Sequence, residues 1–178
     1  MPASAEPARL LIVWWSNTGG TERLVRAAAD GAREACADSP EALALVCCRC
    51  DRVSVPALLA ADALLFASPE CLGSVAGPMK TFFDRCYYPV LDRLVGRPYA
   101  TLVCAGTDGE GATRQIDRIA TGWRLKRVAE PVRVLTGAQT PGAILAPKDL
   151  DSPRFAADLA RAAELGATLA AGASLRLW

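Results

Sequence analysis

Residues 9–21 decide the fold, and they read Arg9-Leu10-Leu11-Ile12-Val13-Trp14-Trp15-Ser16-Asn17-Thr18-Gly19-Gly20-Thr21. An apolar run that stops at small, turn-forming residues is typical of a strand buried on both faces, as in a parallel sheet. From residue 21 to residue 37, apolar side chains then recur along one side of a predicted helix. This strand, turn and helix predict the first unit of an α/β domain.

The same alternation of apolar runs and helical patterns continues along the chain. Strands are predicted at 43–50, 63–67, 98–104 and 128–135, and helices at 77–87 and 111–123. Ser54 is expected to cap a short helix, and Ser152 to cap the last helix with Pro153 at its first position. Residues 136–150 are rich in glycine, proline and alanine and are interpreted as a long loop. The order predicts right-handed crossovers and a parallel sheet covered by helices on both faces.

Length and composition fit one domain, expected at residues 9–178 after a flexible tail at 1–8. The chain has 178 residues, 52% of them hydrophobic, and a formal net charge of +1. Such a balance gives no electrostatic basis for binding nucleic acid or an anionic membrane. The apolar runs are too short for a membrane span, and the first residues lack a signal-peptide pattern. We therefore expect a cytoplasmic protein.

The chain contains seven cysteines and no histidine. An odd number of cysteines argues against a complete disulfide framework, and we interpret them mainly as core residues. The absence of histidine excludes Ser-His-Asp and Cys-His catalysis and any metal site with a histidine ligand. No catalytic side chain and no metal site are predicted.

The first candidate binding feature is the loop after the first strand. It contains the residues Ser16, Asn17, Thr18, Gly19, Gly20 and Thr21. Glycines let the backbone curl so that several N–H groups point at one anion, and the next helix adds its positive N-terminal end. This composition predicts a phosphate cradle without a basic side chain. An ordinary N-capping turn, which Ser and Thr also favour, is the alternative.

Two further loops are expected at the same edge, because the carboxyl ends of parallel strands meet there. The second loop supplies the candidate residues Ser68, Pro69, Glu70, Cys71, Leu72 and Gly73. The third supplies Ala105, Gly106, Thr107, Asp108, Gly109 and Gly111. Three such loops predict a nucleotide site. A Rossmann glycine fingerprint and a P-loop are both absent from the sequence.

These loops carry a resemblance to a known family. The first resembles the flavodoxin phosphate loop, Ser/Thr-x-Thr-Gly-x-Thr, at Ser16, Thr18, Gly19 and Thr21. Residues 68–85 resemble NAD(P)H-dependent FMN reductases and NAD(P)H:quinone oxidoreductases of the flavodoxin-like superfamily. The resemblance implies a three-layer sandwich with a five-stranded parallel sheet in the order 2-1-3-4-5. It also implies FMN, with its phosphate in the first loop and its ring between the second and third loops.

The sequence departs from the family in its ring-binding loops, where Cys71 and Leu72 stand in place of aromatic residues. We hypothesise that Trp15, or Tyr87 and Tyr88 of a neighbouring subunit, supplies the missing stacking. Glu70 is interpreted as a residue that shapes its loop. Asp108 is interpreted either as a flavin contact or as a turn residue.

Three functions follow from the resemblance. The first is an enzyme whose FMN passes electrons from NAD(P)H to a quinone, a flavin or another small acceptor, in a homodimer or homotetramer. The second is a flavodoxin-type electron carrier, although such carriers usually present an acidic face. The third is a flavodoxin-like binding module that has lost flavin.

Overall fold

The computed structural model describes residues 6–178. Residues 1–5 of the predicted tail lie outside the described residues, and the first strand already begins at Ala8. The strands are β1 Ala8–Trp14, β2 Leu43–Arg49, β3 Ala63–Cys71, β4 Ser74–Val75, β5 Pro98–Ala105, β6 Lys126–Arg127 and β7 Val132–Leu135. The helices are α1 Gly20–Ala35, α2 Val55–Ala60, α3 Gly77–Val90, α4 Glu110–Gly122, α5 Pro141–Leu145 and α6 Ala156–Ser174.

The parallel part of the sheet runs in the order β2-β1-β3-β5, and both β6 and β7 pair with β5. This confirms the expected order 2-1-3-4-5, with one change in the last strand. The predicted strand at 128–135 is shortened to β7, and β6 precedes the predicted range, because pairing with β5 stops after Arg127 and resumes at Val132. Pro131 lies in this interruption and has no N–H to donate to the neighbouring strand.

The third strand is longer than predicted. It was predicted at residues 63–67, but β3 continues through Pro69 to Cys71 and pairs antiparallel with β4. The turn between them is Leu72-Gly73, and both residues have positive φ, 53° and 70°. Two consecutive left-handed residues are typical of a tight hairpin turn. The second loop is therefore a short hairpin at the end of the sheet.

The core has one apolar layer on each face of the sheet. Leu10 and Ile12 pack on the side of α1 and α6, while Leu11 and Val13 pack on the side of α2, α3 and α4. This alternation confirms that β1 is buried on both faces. Helices α1 and α6 approach closely, because a Cβ at Gly166 would lie 1.8 Å from the carbonyl oxygen of Ala28.

Of the two predicted N-caps, the structure confirms one. Ser54 Oγ accepts from the Ala57 N–H at 3.2 Å, so the predicted cap of α2 is confirmed. The predicted cap at Ser152 is wrong: its hydroxyl donates to the Asp149 carbonyl oxygen, and a 3₁₀ turn over Pro153–Phe155 precedes α6. None of the helices within residues 6–178 has both the length and the apolar character that crossing a membrane requires.

Candidate functional site

Loops from the carboxyl ends of β1, β3 and β5 meet around one cleft of about 100 Å³. The predicted residues that line it are Ser16, Asn17, Thr18, Gly20, Thr21, Pro69, Ala105 and Gly106. Cys104 and residues of the segment after β7 complete the lining. The structure therefore brings the first loop together with parts of the other two. The predicted residues outside this lining are Gly19, Ser68, Glu70, Cys71, Leu72, Gly73, Thr107, Asp108, Gly109 and Gly111.

The first loop curls at its two glycines. Gly19 has φ +88°, a left-handed conformation that glycine adopts without strain, and its N–H donates to Ser16 Oγ at 3.1 Å. Gly20 leaves no room for a side chain, because a Cβ there would lie 2.8 Å from Cys104 Sγ. The backbone of the loop is therefore packed directly onto the end of β5. This tight curl aims the start of α1 at the cleft.

Thr21 carries the least satisfied polar group of the site. The residue is 1% exposed and lines the cleft, yet its hydroxyl has no hydrogen-bond partner among the described residues. A buried polar group without a partner costs about 1–3 kcal/mol. The N-terminus of α1 also lacks a side-chain cap, so its first N–H groups and the helix dipole are available to an anion. These features fit a phosphate.

The second and third loops are fastened to each other through Glu70. Its carboxylate accepts from the N–H of Gly109 at 3.1 Å and from the N–H of Ala112 at 3.0 Å. Glu70 thus satisfies the start of α4, which agrees with its interpretation as a residue that shapes the loop. Ser68 is fully buried. Its hydroxyl donates to the Pro69 carbonyl oxygen and accepts from the Ala76 N–H.

The hairpin and the start of α4 form one continuous wall. A Cβ at Gly111 would lie 1.9 Å from the carbonyl oxygen of Gly73, so the two backbones are in contact. This contact closes the gap at the tip of the hairpin, and the position of a ring between the second and third loops, which the resemblance implies, stays a prediction. The wall and the first loop are joined by the hydrogen bond that Asn17 Nδ2 donates to Cys71 Sγ (3.3 Å).

The third loop contains an ordinary turn. Asp108 is exposed, and its carboxylate accepts from the Glu110 N–H at 2.8 Å. Gly109 follows with φ +69° at the N-cap of α4. Of the two interpretations of Asp108, the geometry favours the turn residue, because its side chain is already engaged by the backbone.

The aromatic residues proposed to compensate in stacking lie in different places. Trp15 follows β1 beside the first loop, and its Nε1 donates to Asn17 Oδ1 at 2.6 Å. The Arg49 guanidinium lies over the Trp15 ring, 4.4 Å from its centroid, and covers that face. Tyr87 and Tyr88 are at the far end of α3, about 15 Å along the helix from its start. Stacking by any of the three stays a prediction.

A fourth segment, residues 136–151, closes the cleft from the other side. The N–H groups of Thr136 and Gly137 donate to the carbonyl oxygens of Ala105 and Gly106. Farther along, Lys148 N–H donates to the Thr18 carbonyl oxygen at 2.9 Å. We call these residues the strap. Residues 136–150 were predicted to form a long loop, but they contain the short helix α5. No site residue was predicted among them, although their position after a strand whose carboxyl end faces the site was an available signal.

The thiols near the cleft are poor nucleophiles. Burial raises the pKa of the Cys104 thiol to about 11, with a smaller opposing effect of the Lys148 charge. Burial also raises the pKa of Cys71, against the lowering effect of the hydrogen bond from Asn17. Because the thiolate is the reactive form, neither residue is suited to covalent catalysis at neutral pH.

Comparison with protein families matches residues 15–132 to the family described as NADPH-dependent FMN reductase. The chain belongs to the NADPH-dependent FMN reductase family. The matched residues include the first, second and third loops and end at the start of β7, before the strap. No curated protein gives a significant sequence match.

Solved structures show the same fold. A flavodoxin from the domain Archaea is 20% identical with a TM-score of 0.68, covering 91% of this chain and 96% of its own. A flavodoxin, WrbA-like protein from Agrobacterium tumefaciens is 17% identical, with a TM-score of 0.68 and coverages of 94% and 98%. A Streptococcus pneumoniae flavodoxin is 22% identical, with a TM-score of 0.67 and coverages of 93% and 99%. The flavodoxin-like expectation is therefore confirmed for this family member.

Proposed function

We propose that this protein binds FMN and passes electrons from NADPH or NADH to a small acceptor, either a quinone or a free flavin. One observation carries the proposal: Thr21, whose hydroxyl is buried and unpaired among the described residues, lines the cleft at the uncapped start of α1. Phosphate oxygens are acceptors for such hydroxyl and backbone N–H groups. The first loop would hold the phosphate.

The rest of the cofactor is assigned to the surface beside this cleft. Asn17 bridges Trp15, beside the first loop, and Cys71 of the wall, so its amide holds the two sides of that surface together. When bound, FMN supplies the hydride and electron transfer, which explains how a chain without histidine can act as an oxidoreductase. The protein binds and orients the cofactor and the acceptor.

The setting of the reaction is also proposed. All seven cysteines are free thiols, as in proteins of a reducing cytoplasm. Near the end of α3, Tyr87, Tyr88 and Leu91 are exposed, with 81% of Tyr88 accessible. Exposed tyrosines are enriched at protein interfaces, and we assign this surface to a homodimer or homotetramer. The molar mass in solution, measured by light scattering, tests this assignment.

A second candidate, a binding module without flavin, is favoured by the size of the cleft. Its volume of about 100 Å³ is below the roughly 300–1,000 Å³ of ordinary ligand pockets. A cleft of this size accommodates a phosphate group, whereas the flavin ring would have to lie on the surface beside the cleft. Flavin binding therefore separates the two candidates.

The decisive experiment is the visible spectrum of the purified protein after incubation with FMN and gel filtration. Retained flavin bands, bleached by NADPH or NADH, support the oxidoreductase. Loss of all flavin during filtration overturns it and leaves the binding module. Steady oxidation of NADPH or NADH with a quinone then separates the enzyme from an electron carrier, which requires a separate reductase.

Gly19→Ala tests the position of the site, and Gly96→Ala is its control. Both glycines have positive φ, 88° and 74°, and a Cβ at either meets nothing within 4 Å. Each substitution is expected to lower the free energy of unfolding by about 1 kcal/mol through the same backbone strain. Only Gly19→Ala should weaken FMN binding, about fivefold or more. Equal FMN affinity in the two variants would place the phosphate elsewhere.

A further inference from the structure

We propose that Lys148 of the strap binds the cofactor phosphate and makes the site select a phosphorylated flavin over one without phosphate. The inference rests on the proposed function. Among the residues that line the cleft, Lys148 alone carries a formal charge. The first loop was expected to hold phosphate without any basic side chain. The positive charge of Lys148 is supplied by a part of the chain outside the family match at 15–132.

A backbone hydrogen bond and side-chain packing hold Lys148 against the first loop. Its N–H donates to the Thr18 carbonyl oxygen at 2.9 Å, and its Cβ and Cγ each lie 3.2 Å from where a Cβ of Gly20 would stand. The stem of the side chain therefore packs against the first residue of α1. Thr21, whose unpaired hydroxyl independently indicates a missing ligand, is the next residue along this helix.

The Lys148 ammonium group has a position that an anion can change. It donates to the carbonyl oxygens of Ala143, Ile144 (3.0 Å) and Ala146 (2.8 Å) at the end of α5. These acceptors are neutral, whereas a phosphate oxygen carries negative charge and adds a Coulomb attraction to its hydrogen bond with the ammonium. The flexible four-carbon stem of lysine permits the ammonium to turn from the carbonyls to a phosphate.

Other basic residues near the start of α1 are already paired. Arg23 Nε lies 2.5 Å from Asp151 Oδ1, and Arg26 lies 2.5 Å from Glu22 Oε1. Within residues 6–178, Lys148 forms no ion pair with an acidic side chain. Its positive charge is therefore the one at this cleft that is not already neutralised by a carboxylate.

The test compares dissociation constants of FMN and riboflavin for the wild type, Lys148→Gln and Lys148→Arg, followed by flavin fluorescence. Lys148→Gln should weaken FMN binding about tenfold or more and leave riboflavin binding unchanged. Lys148→Arg, which keeps the charge, should stay near the wild type. Lys126→Gln is the control. Lys126 is an exposed lysine on β6 that pairs with Pro98, the first residue of β5, whereas the cleft lies at the other end of β5.

The pH dependence separates charge recognition from a structural role. A phosphate monoester loses its second negative charge below a pKa of about 6. Wild-type affinity for FMN should therefore fall as the pH drops below about 6, and this fall should be shallower in Lys148→Gln. A strap that only packs against the cleft would leave the pH profile unchanged.

Two results would overturn the inference: equal losses for FMN and riboflavin in Lys148→Gln, or no loss for either. A wild type that binds neither flavin would refute the proposed function instead. In that case inorganic phosphate is the probe, followed by NMR shifts of the Gly19 and Gly20 amides. Phosphate shifts that disappear in Lys148→Gln would support the role of Lys148, and shifts that persist, or are absent in the wild type, would refute it.

Discussion

The first loop and the wall formed by the second and third loops lie side by side at one edge of the sheet, yet their polar groups are satisfied differently. In the wall, Glu70 accepts from the amides of Gly109 and Ala112. In the first loop, α1 has no side-chain cap and the buried hydroxyl of Thr21 has no partner among the described residues. Buried polar groups are normally paired. The polar groups of the wall are therefore satisfied within the chain, whereas the first loop retains unpaired donors, as the proposed phosphate site requires.

The largest effect is expected in the wall. Glu70→Ala leaves two backbone N–H groups at the start of α4 without their charged acceptor, and hydrogen bonds to charged groups contribute about 1.5–3 kcal/mol. We expect the free energy of unfolding, measured by urea denaturation, to fall by about 2–3 kcal/mol. Glu70→Gln keeps one acceptor oxygen and should lose less. A change in Glu70→Ala below about 0.5 kcal/mol would mean that water replaces the carboxylate and that the wall is not held by it.

A smaller effect is expected on the pH dependence of stability, through Cys104, which packs against Gly20 of the first loop. Burial raises the pKa of the Cys104 thiol to about 11, against an ordinary value of 9.0. The folded protein therefore holds this proton where the unfolded chain releases it, so stability is complete below about pH 9 and is lost as the pH rises toward 11. Cys50, with a pKa of about 11, contributes in the same direction.

Cys104→Ala isolates the share of Cys104. The variant should lose stability at neutral pH, because a buried side chain is shortened, and should show a shallower decline between about pH 9 and pH 11. Urea midpoints over this range provide the measurement. An unchanged slope would show that Cys104 is open to solvent, and the first loop would then be looser than the packing of Gly20 indicates.

The backbone curl of the first loop agrees with the sequence-based prediction because the signals for it are local. Ser16, Gly19 and Thr21 lie within six residues, and the curl of the backbone depends on residue types that are visible in the sequence. The apolar run of β1 likewise reveals a strand buried on both faces. Both signals arise from neighbouring residues, so they survive without knowledge of the tertiary contacts.

The wall and the strap depend on contacts between distant residues. Glu70 and Gly109 are 39 positions apart, and the strap reaches from β7 back to Thr18. The sequence pattern predicted a strand that ends at residue 67, although β3 continues through Pro69 into a hairpin. Nothing local distinguishes Lys148 from a solvated surface lysine. The contact between Gly73 and Gly111 that closes the wall could not be predicted for the same reason.

The most direct test of the account compares two buried threonines, Thr21 in the first loop and Thr113 behind the wall. Thr113 Oγ1 donates to the Gly109 carbonyl oxygen at 2.7 Å, so Thr113→Val should lower the free energy of unfolding by about 1 kcal/mol and leave FMN affinity unchanged. Thr21→Val removes an unpaired hydroxyl, so stability should stay equal or rise by up to about 1 kcal/mol, while FMN affinity falls about tenfold. Loss of stability in Thr21→Val with unchanged FMN affinity would contradict the account, because the hydroxyl would then serve the fold and not the phosphate.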